Sequence, residues 1–460
     1  MEFQNAPTTS ADDPMDRRMR RNGLIAACAG NLIEWFDFFV YAYLAIYFAP
    51  SFFPQEDQTS QLLSTAAIFA VGFLMRPLGG WLFGWLADTH GRKASMMVSV
   101  MMMSGGSLLI ALIPTYAQIG LLAPVALLTA RMLQGLSVGA EYGTGATYIS
   151  EIARKGRRGF YGSFQYATII AGQLCALFTI ILLQSLLTTE QLSAWGWRIP
   201  FFMGAVGAVV VVWLRRAMTE TASQKDMHRK EAGSLKGLMA HKRAAMLVVL
   251  FTAGGSLWFY TFTTYMQKFL VVSAGFDKET VSLIMTSALI CFMIAQPLFG
   301  MLADRIGVRT HMLLFTGLGA LLAAPILFAL QSVHSPFGAF LLVAAGLGIS
   351  AFYTPISGLV KADLFPPAVR ALGVGLPYAI GNATFGGTAE YIALWLRSTG
   401  RETTYFYYVA IVVFVSLIAS LLLPNLRRHG YLDGDGRIEE NIGFGNRHDD
   451  GGPTIAEGKA

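Results

Sequence analysis

Long apolar segments follow one another along almost the whole chain of 460 residues. Twelve of them have about the 20 residues that a helix needs to cross roughly 30 Å of hydrocarbon. They lie near residues 23–50, 62–87, 95–114, 119–147, 160–187, 198–214, 245–273, 280–303, 311–331, 336–360, 371–397 and 404–424. Charged residues make up only 13% of the chain, so the surplus apolar surface must face lipid. The segments lack the two-residue alternation of membrane β-strands, and the sequence predicts an all-α membrane protein.

One short charged string occurs twice, at the ends of the second and eighth apolar segments. The copies read GWLADTHGRK at 84–93 and GMLADRIGVR at 300–309. The same turn at the same place in two apolar halves indicates an internal duplication, which is typical of membrane transporters. The sequence therefore predicts twelve transmembrane helices in two pseudo-symmetric six-helix bundles.

Polar stretches divide the chain into five parts. The stretch between the sixth and seventh segments carries both charge signs, and the C-terminal stretch has the polar composition of a disordered segment. The predicted parts are an N-terminal tail at 1–22, a first bundle at 23–214, a linker at 215–244, a second bundle at 245–425 and a disordered tail at 426–460.

Positive charge lies mostly on one side of the predicted membrane. When the N-terminus is assigned to the cytoplasm and the sides alternate, 27 of the 34 Lys and Arg residues fall on the cytoplasmic side. The positive-inside rule then predicts that both tails and the linker are cytoplasmic. Because the positive charge is split among short loops, the sequence argues against nucleic acid as a partner.

Several charged residues fall inside the apolar segments, where each costs at least about 2.5–3.5 kcal/mol and therefore usually has a function. Glu34 and Asp37 lie three residues apart on one face of the first segment, and Arg131 lies in the fourth. A carboxylate beside an arginine can bind a proton on one side of a membrane and release it on the other. We predict a proton relay of Glu34, Asp37 and Arg131. The alternative is a purely structural Asp37–Arg131 ion pair.

The excess of arginine over acid near the middle of the first half suits an anionic substrate, because guanidinium groups bind carboxylates bidentately. Arg76, near the middle of the second segment, is the predicted substrate anchor. Arg198 is a second candidate ligand. Its alternative role is to anchor the membrane interface together with Trp195 and Trp197.

Polar side chains in the fifth and seventh segments predict the wall of a wet cavity. Tyr260 and Thr264 share a face of the seventh segment, and Lys268 lies one turn further out. Gln165 and Gln173 share a face of the fifth segment. The alternative function of these side chains is hydrogen bonding between helices.

Charged residues at helix ends predict a cytoplasmic gate. Its predicted members are Asp88, Arg92, Glu151, Arg158, Asp304 and Arg309. In each half an acid closes the fourth helix and an arginine opens the fifth, and glycines in the duplicated string permit a tight turn. The alternative is that these charges only set the topology.

Together these strings resemble the major facilitator superfamily. The GxLADxxGRK turn is the loop motif of that superfamily, and RMLQG at 131–135 is similar to its fourth-helix motif. NLIEWFD at 31–37, RPLGG at 76–80 and WGWRIP at 195–200 resemble its metabolite:proton symporter family. Val308 departs from the Gly-Arg-Arg that is usual in the second loop, so we expect the second gate to be weaker than the first.

The resemblance covers roughly residues 22–425 and implies proton-driven uptake of a dicarboxylate, α-ketoglutarate, by alternating access around a central site. The alternative is a symporter of the same fold for another organic acid, such as citrate, or for a zwitterion. The expected location is the bacterial inner membrane. We expect no enzyme activity, no metal and no cofactor beyond the coupling proton. The expected partners are the carboxylate and the lipid bilayer, without nucleic acid or an obligate protein partner.

Overall fold

The computed structural model describes residues 14–54, 58–216, 220, 233–434, 436–438 and 442. Twelve long helical segments, with shorter helices between some of them, follow one another along this part of the chain. They are α1 Pro14–Phe52, α2 Gln58–His90, α3 Arg92–Leu112, α4 Leu122–Ile152, α5 Arg158–Leu186, α6 Arg198–Arg215, α7 Lys242–Val272, α8 Lys278–Ile306, α9 Val308–Ser332, α10 Pro336–Asp363, α11 at 370–398 and α12 Glu402–Leu421.

Three segments are interrupted. A π-helical turn at Thr261–Tyr265 lies within α7, and α10 is broken between Ser350 and Ser357. The two pieces of α11, Arg370–Gly381 and Ala389–Ser398, are joined through the π turn Asn382–Gly386. Such turns are frequent at functional sites in membrane helices.

The all-helical membrane fold predicted from the apolar segments is confirmed. Within the described residues, eleven helices are long and apolar enough to cross a membrane. The remaining long segment, α11, is divided into pieces of 12 and 10 residues, and each piece alone is too short to cross a membrane. Large apolar side chains such as Leu74, Phe178 and Ile411 remain exposed, as expected where a helix faces lipid.

The duplicated string forms the same turn twice. Gly91 separates α2 from α3 with φ 101° and ψ 153°, and Gly307 separates α8 from α9 with φ 95° and ψ 146°. Residues with a side chain rarely adopt this conformation, so glycine permits a one-residue turn between two long helices. The sequence repeat is therefore a structural repeat.

Helix packing follows the duplication. In the first half α2 packs along α4, and α3 packs against α4 and α6; in the second half α8 and α9 both pack against α10. The halves meet where α2 packs against α11 and α5 packs against α8, which are equivalent pairs. The exact division into a bundle at 23–214, a linker at 215–244 and a bundle at 245–425 stays a prediction. Residues 217–219 and 221–232 of that linker lie outside the described ones.

The predicted tails need correction where they join the bundle. Helix α1 begins at Pro14, so residues 14–22 are helical. Leu426–His429 form a short helix, and the residues that follow contact α5, α10 and α11, so disorder is wrong for 426–434. Residues 435, 439–441 and 443–460 of the predicted tail lie outside the described ones.

The backbones of α2 and α4 touch through glycines. A Cβ atom added at Gly135 would lie 2.2 Å from the carbonyl oxygen of Gly72, and one added at Gly79 would lie 2.1 Å from that of Leu136. Small residues allow this approach between membrane helices, where dispersion and interhelical hydrogen bonds replace hydrophobic association. The contact holds the helix that carries Arg76 against the helix that carries Arg131.

Gly135→Ala is expected to lower the thermal stability of the purified protein in detergent. The added methyl group would meet backbone rather than a flexible side chain, and overpacking of this kind costs about 1–3 kcal/mol. Gly105→Ala is the matched control, because nothing lies within 4 Å of the added atom. Equal unfolding temperatures for the two variants would contradict the close contact.

Candidate functional site

The bundle has two ends that differ in what they carry. We call one the tail end, because it carries the turns at Gly91 and Gly307 and the segment 426–434. We call the other the far end; it carries the connections 113–121, 273–277 and 399–401.

A cavity of about 340 Å³ lies between the two halves, in the part of the bundle nearer the far end. Helices α1, α2, α5, α7 and α11 line it. Its aromatic wall consists of Phe38, Phe39, Tyr41, Tyr43, Phe69, Phe73 and Tyr260. Its polar lining consists of Thr65, Gln173, Thr263, Thr264, Gln267, Lys268 and Glu390. An apolar wall with a few convergent polar groups is typical of a small-molecule site.

The three residues that the sequence singled out in α7 all reach this cavity. Tyr260, Thr264 and Lys268 line it, and Lys268 forms an ion pair with Glu390 of α11. The side chains of that pair are 53% and 31% exposed, so solvent reaches the cavity there. The ion pair therefore stands at the mouth of the cavity.

Arg76 lies beside the cavity, buried to 2% exposure. Its Nη1 donates a hydrogen bond of 3.2 Å to the Tyr260 hydroxyl, and its guanidinium lies 3.8 Å from the Phe73 ring centre and 4.8 Å from that of Phe38. The rings stabilise the cation through its face. The Nε and Nη2 atoms, which form one edge of the guanidinium fork, have no hydrogen-bond partner. That edge has the geometry for a carboxylate.

A second, much smaller cavity of about 10 Å³ lies next to Arg76, which lines it together with Glu34, Trp35, Tyr142 and Tyr378. This volume holds no substrate. A carboxylate would reach the free edge of Arg76 from this cavity only if the surrounding side chains moved.

The two glutamines predicted as ligands have different surroundings. Gln173 lines the large cavity, and its Nε2 donates to the Tyr43 hydroxyl at 3.1 Å. Gln165 is absent from that lining. Its side-chain Nε2 donates to the backbone carbonyl of Tyr142, and its backbone carbonyl accepts from the Asn31 side chain. The geometry at Gln165 therefore favours the helix-joining alternative.

Arg198 also lies away from the cavity. Its Nη1 donates to the carbonyls of Ala111 and Ile113, both at 2.9 Å, and its guanidinium stacks 4.2 Å from the Trp197 ring centre. These carbonyls belong to the end of α3, which lacks helical partners for its last acceptors. In this conformation Arg198 joins α3 to α6 as an anchor and does not face a substrate.

Asp37 and Arg131 are buried close together without forming an ion pair within 4.0 Å. Asp37 is fully buried and faces Ser107 and Arg131, but its carboxylate oxygens accept no hydrogen bond of ordinary geometry. Arg131 donates to Gln134 Oε1 at 2.7 Å and lies 4.2 Å from the Tyr41 ring centre. The structural ion pair that the sequence left open is not formed here. An acid lacking strong partners is suited to gaining and losing a proton.

Glu34 points to other partners than Asp37, although the two share a helix face. Its Oε1 accepts from the Ser137 hydroxyl at 3.1 Å, and it lines the small cavity beside Arg76. Asp37 instead packs on Gly204 of α6, where an added Cβ would lie 1.7 Å from the carboxylate. The two acids of the predicted relay therefore lie next to different arginines, Glu34 beside Arg76 and Asp37 beside Arg131.

At the tail end, Asp88 joins the two halves. Its carboxylate accepts hydrogen bonds from the backbone N–H groups of Ala371 and Leu372 at 3.1 and 2.9 Å, and pairs with Arg92 at 2.9 Å. The first N–H groups of a helix have no intrahelical partner, and the helix dipole favours a negative charge there. Asp88 of α2 thus caps α11 of the other half.

Arg92 extends this contact into a network. It donates to the carbonyl of Pro367 at 3.0 Å and pairs with Glu151 at 3.3 Å, and Glu151 also pairs with Arg370 at 2.8 Å. Asp88 and Arg92 are almost fully buried. The network crosses between the halves and must separate for the tail end to open.

The second copy caps its helix without a counterpart of Arg92. Asp304 accepts from the N–H groups of Gly159 and Phe160 at 2.7 and 3.0 Å, so it caps α5 as Asp88 caps α11. Val308 stands where the first copy has Arg92. Arg309 turns to the carbonyl of Leu421, so the predicted Asp304–Arg309 contact is not formed.

The segment 426–434 completes the second half of the tail end. Arg158 pairs with Asp433 at 2.7 Å, and Asp363 accepts from the backbone N–H of Leu432 at 2.7 Å. Arg158 corresponds to Arg370 of the first network, and Asp363 corresponds to Glu151. The chain beyond α12 therefore supplies contacts where the arginine of the repeat is missing.

Arg92→Ala is expected to open the tail end. Removing one partner of a buried ion pair costs about 3–5 kcal/mol, which favours the open form by more than about 100-fold. Spin labels at Lys155→Cys and Arg305→Cys, two exposed positions on opposite halves, would then report a longer distance population. Arg309→Ala is the control, because Arg309 donates its hydrogen bond to the Leu421 carbonyl of its own half. An unchanged distance in Arg92→Ala would remove Arg92 from the gate.

Sequence reasoning missed the buried lysine Lys361. Lys361 is one of the 27 Lys and Arg residues that the topology assigns to the cytoplasmic side, yet its side chain is fully buried in α10. Its partner Ser357 lies four residues earlier, on the same helix face. The spacing of Ser357 and Lys361 can be read from the sequence, but the contact of Lys361 with Tyr142 of the other half cannot.

The fold and the central cavity define a multi-pass membrane transporter of small molecules. A family model described as "Sugar (and other) transporter" matches residues 23–223, and one described as "Major Facilitator Superfamily" matches residues 260–439. The chain belongs to the major facilitator superfamily, whose members are transporters and not enzymes. The resemblance noted in the sequence is thereby confirmed.

Curated relatives span nearly the whole chain. It is 57% identical over 419 residues to the alpha-ketoglutarate permease of Escherichia coli (strain K12), which covers 90% of this chain and 97% of the permease. It is 32% identical over 414 residues to the citrate-proton symporter of Klebsiella pneumoniae, with 88% and 92% covered. Among solved structures, the proton:xylose symporter XylE bound to 6-bromo-6-deoxy-D-glucose matches with a TM-score of 0.72, 16% identity, and 88% and 95% covered. The last likeness shows the fold alone.

Proposed function

We propose that this protein is a proton-coupled symporter that imports α-ketoglutarate across the bacterial inner membrane by alternating access. The observation that carries the proposal is the free Nε–Nη2 edge of Arg76, buried beside a cavity between the two halves. A buried guanidinium edge without a partner is matched by a carboxylate. The 57% identity to the E. coli permease supports α-ketoglutarate as that carboxylate.

The tail end is the cytoplasmic end, with both termini and the linker on that side. The distribution of Lys and Arg supports this orientation, since 27 of 34 fall on the side of the tails. The Asp88 and Asp304 caps close the tail end, while the cavity reaches solvent beside Lys268 and Glu390. The observed conformation therefore receives substrate from outside the cell.

The substrate site combines Arg76 with the polar lining of the cavity. Lys268 attracts the dianion at the mouth, and Thr264 and Gln173 offer hydrogen bonds along the wall. Tyr260 lines the cavity and accepts a hydrogen bond from Arg76, so substrate binding in the cavity can change the position of the buried guanidinium. Gln165 and Arg198 are positioning residues that hold α5 and α6.

Coupling requires that proton uptake and substrate binding favour the same conformational change. A proton on Asp37 removes the negative charge that faces Arg131, and a substrate carboxylate neutralises Arg76. Glu34, beside the same small cavity as Arg76, connects the two events. With fewer uncompensated buried charges, the halves can move against each other and expose both groups to the cytoplasm.

The transporter needs no organic cofactor or metal in this mechanism, because the proton gradient supplies the free energy. Its partners are the carboxylate and the surrounding lipid bilayer. Nucleic acid and an obligate protein partner have no part in it.

A symporter of the same fold for citrate, or for a zwitterion, is the second candidate. The 32% identity to the Klebsiella citrate-proton symporter favours citrate over other organic acids. The difference in identity between the two relatives favours α-ketoglutarate over citrate.

Uptake of labelled α-ketoglutarate into proteoliposomes under an inward proton gradient tests the proposal. We expect accumulation above the external concentration, abolished by a protonophore. Accumulation insensitive to the protonophore, or none at all, would refute proton symport of this substrate. A panel of citrate, a zwitterion and other carboxylates as competitors in the same assay separates the two candidates.

A further inference from the structure

Lys361 is a fully buried lysine without an acidic partner within 4.0 Å among the described residues. Its Nζ donates to the Tyr142 hydroxyl at 2.8 Å and to the Ser357 hydroxyl at 2.7 Å. An ammonium group has three N–H donors, so these two hydroxyls leave it incompletely satisfied.

Three tyrosines surround this ammonium group. Its Nζ lies 4.5 Å from the ring centre of Tyr378, 4.7 Å from that of Tyr142 and 5.5 Å from that of Tyr353. Aromatic faces stabilise a cation but leave its net charge in place. Burying an ammonium group without an anion costs several kcal/mol, so an anion that reaches this position would stabilise the charged side chain. A buried basic side chain of this kind in a transporter is a candidate for binding an anion during part of the cycle.

The tyrosine layer separates Lys361 from Arg76. Tyr142 of α4 and Tyr378 of α11 stack with ring centres 3.5 Å apart and planes within 11°. Both rings line the small cavity that Arg76 also lines. The stack joins opposite halves of the protein, so it must separate when the tail end opens. Lys361 then gains access to the space beside Arg76.

We propose that Lys361 is the second carboxylate anchor of the transporter and sets its specificity for dicarboxylates. This inference rests on the proposed function, uptake of α-ketoglutarate. Arg76 on α2 binds one carboxylate, and Lys361 on α10 binds the other once the Tyr142–Tyr378 stack has opened. A dianion therefore bridges cations from the two halves, whereas a monoanion neutralises only one of them.

The first test compares a dicarboxylate with a monocarboxylate of the same length as inhibitors of labelled α-ketoglutarate uptake. The probes are unlabelled α-ketoglutarate and 2-oxopentanoate, and the variants are Lys361→Gln and Lys361→Met. We expect the inhibition constant of α-ketoglutarate to rise about 10- to 100-fold in both variants, the effect of losing one charge-assisted hydrogen bond. The constant of 2-oxopentanoate should stay within about threefold of wild type by the same reasoning. Lys236→Gln, which removes an exposed lysine, is the control and should change neither.

The outcomes show whether Lys361 binds the substrate or only has a structural role. Unchanged inhibition by α-ketoglutarate in the Lys361 variants would overturn the proposal. An equal loss of inhibition by both probes would also overturn it, because a purely structural residue would affect every substrate alike. Retained inhibition by 2-oxopentanoate shows that a variant is folded. Failure of the proposed function appears elsewhere, as absence of α-ketoglutarate uptake by the wild-type protein.

A second test asks whether residue 361 becomes accessible. Lys361→Cys is placed in a background in which Cys28, Cys175 and Cys291 are replaced by alanine, since these are the cysteines of the chain. We expect a membrane-impermeant thiol reagent to label it from the cytoplasmic side, and to label it faster when Arg92→Ala opens the tail end. No labelling in the opened variant would overturn the proposal.

Discussion

Replacing Arg76 with alanine is expected to weaken α-ketoglutarate binding on the order of 100-fold. The variant loses the Nε and Nη2 donors, which have no other partner in the structure. Hydrogen bonds from charged donors contribute about 1.5–3 kcal/mol each, so two of them amount to at least about 3 kcal/mol. The effect should appear as a raised half-saturation concentration for uptake and as a raised dissociation constant in detergent.

Two further variants show whether the guanidinium edge is responsible. Arg76→Lys keeps the charge but not the two-donor edge, so it should still bind clearly more weakly than wild type. Tyr260→Phe removes only the acceptor of Nη1 and leaves the Nε–Nη2 edge intact, so its loss should be much smaller. Wild-type affinity in Arg76→Lys would place the substrate carboxylate elsewhere.

Replacing Asp37 with asparagine is expected to abolish accumulation driven by a proton gradient while sparing substrate exchange. Asparagine has nearly the shape of the protonated acid but cannot release a proton. A gradient of about one pH unit corresponds to about 1.4 kcal/mol and supports up to about tenfold accumulation per proton carried. The variant should reach only the external concentration, yet exchange internal for external label at a rate close to wild type.

Glu34→Gln is the matched comparison for Asp37→Asn. Glu34 lies beside Arg76, whereas Asp37 lies beside Arg131, so the two variants test the two ends of the proposed relay. Loss of accumulation in Glu34→Gln alone would transfer the proton-carrying role to Glu34. Wild-type accumulation in Asp37→Asn would remove Asp37 from the proton path. Binding of α-ketoglutarate in detergent checks that each variant is folded.

Most of the fold could be predicted from the sequence because lipid imposes a local requirement. Each crossing needs about 20 apolar residues with internally satisfied backbone hydrogen bonds, and both features are visible in a single segment. The duplicated string predicted the two equivalent turns at Gly91 and Gly307 for the same reason. The break in α11 was not predicted, although glycines and polar residues, GNATFGGT at 381–388, fall within its apolar run.

The members of the site were predicted less completely than the helices that carry them. Arg76, Tyr260 and Thr264 do lie at or beside the central cavity. Arg198 does not, because the ends of α3 and α6 bring its guanidinium onto backbone carbonyls. Arg309 belongs to the repeated string, yet a one-position offset turns it away from Asp304. Sequence spacing along one helix says nothing about which side chain of another helix stands opposite.

The sequence by itself determined the number of membrane segments, the duplication and the superfamily, and it predicted the charged residues of the candidate site. These properties depend on composition and on spacing within single helices. Only the tertiary structure decided which buried charges are partnered. It joined Asp88 and Asp304 to helix ends in the opposite half, left the Arg76 edge and Asp37 without partners, and buried Lys361 among tyrosines. A hydrogen bond or an ion pair forms or fails over a few tenths of an ångström. Where its partners are far apart in the sequence, only tertiary packing sets that distance.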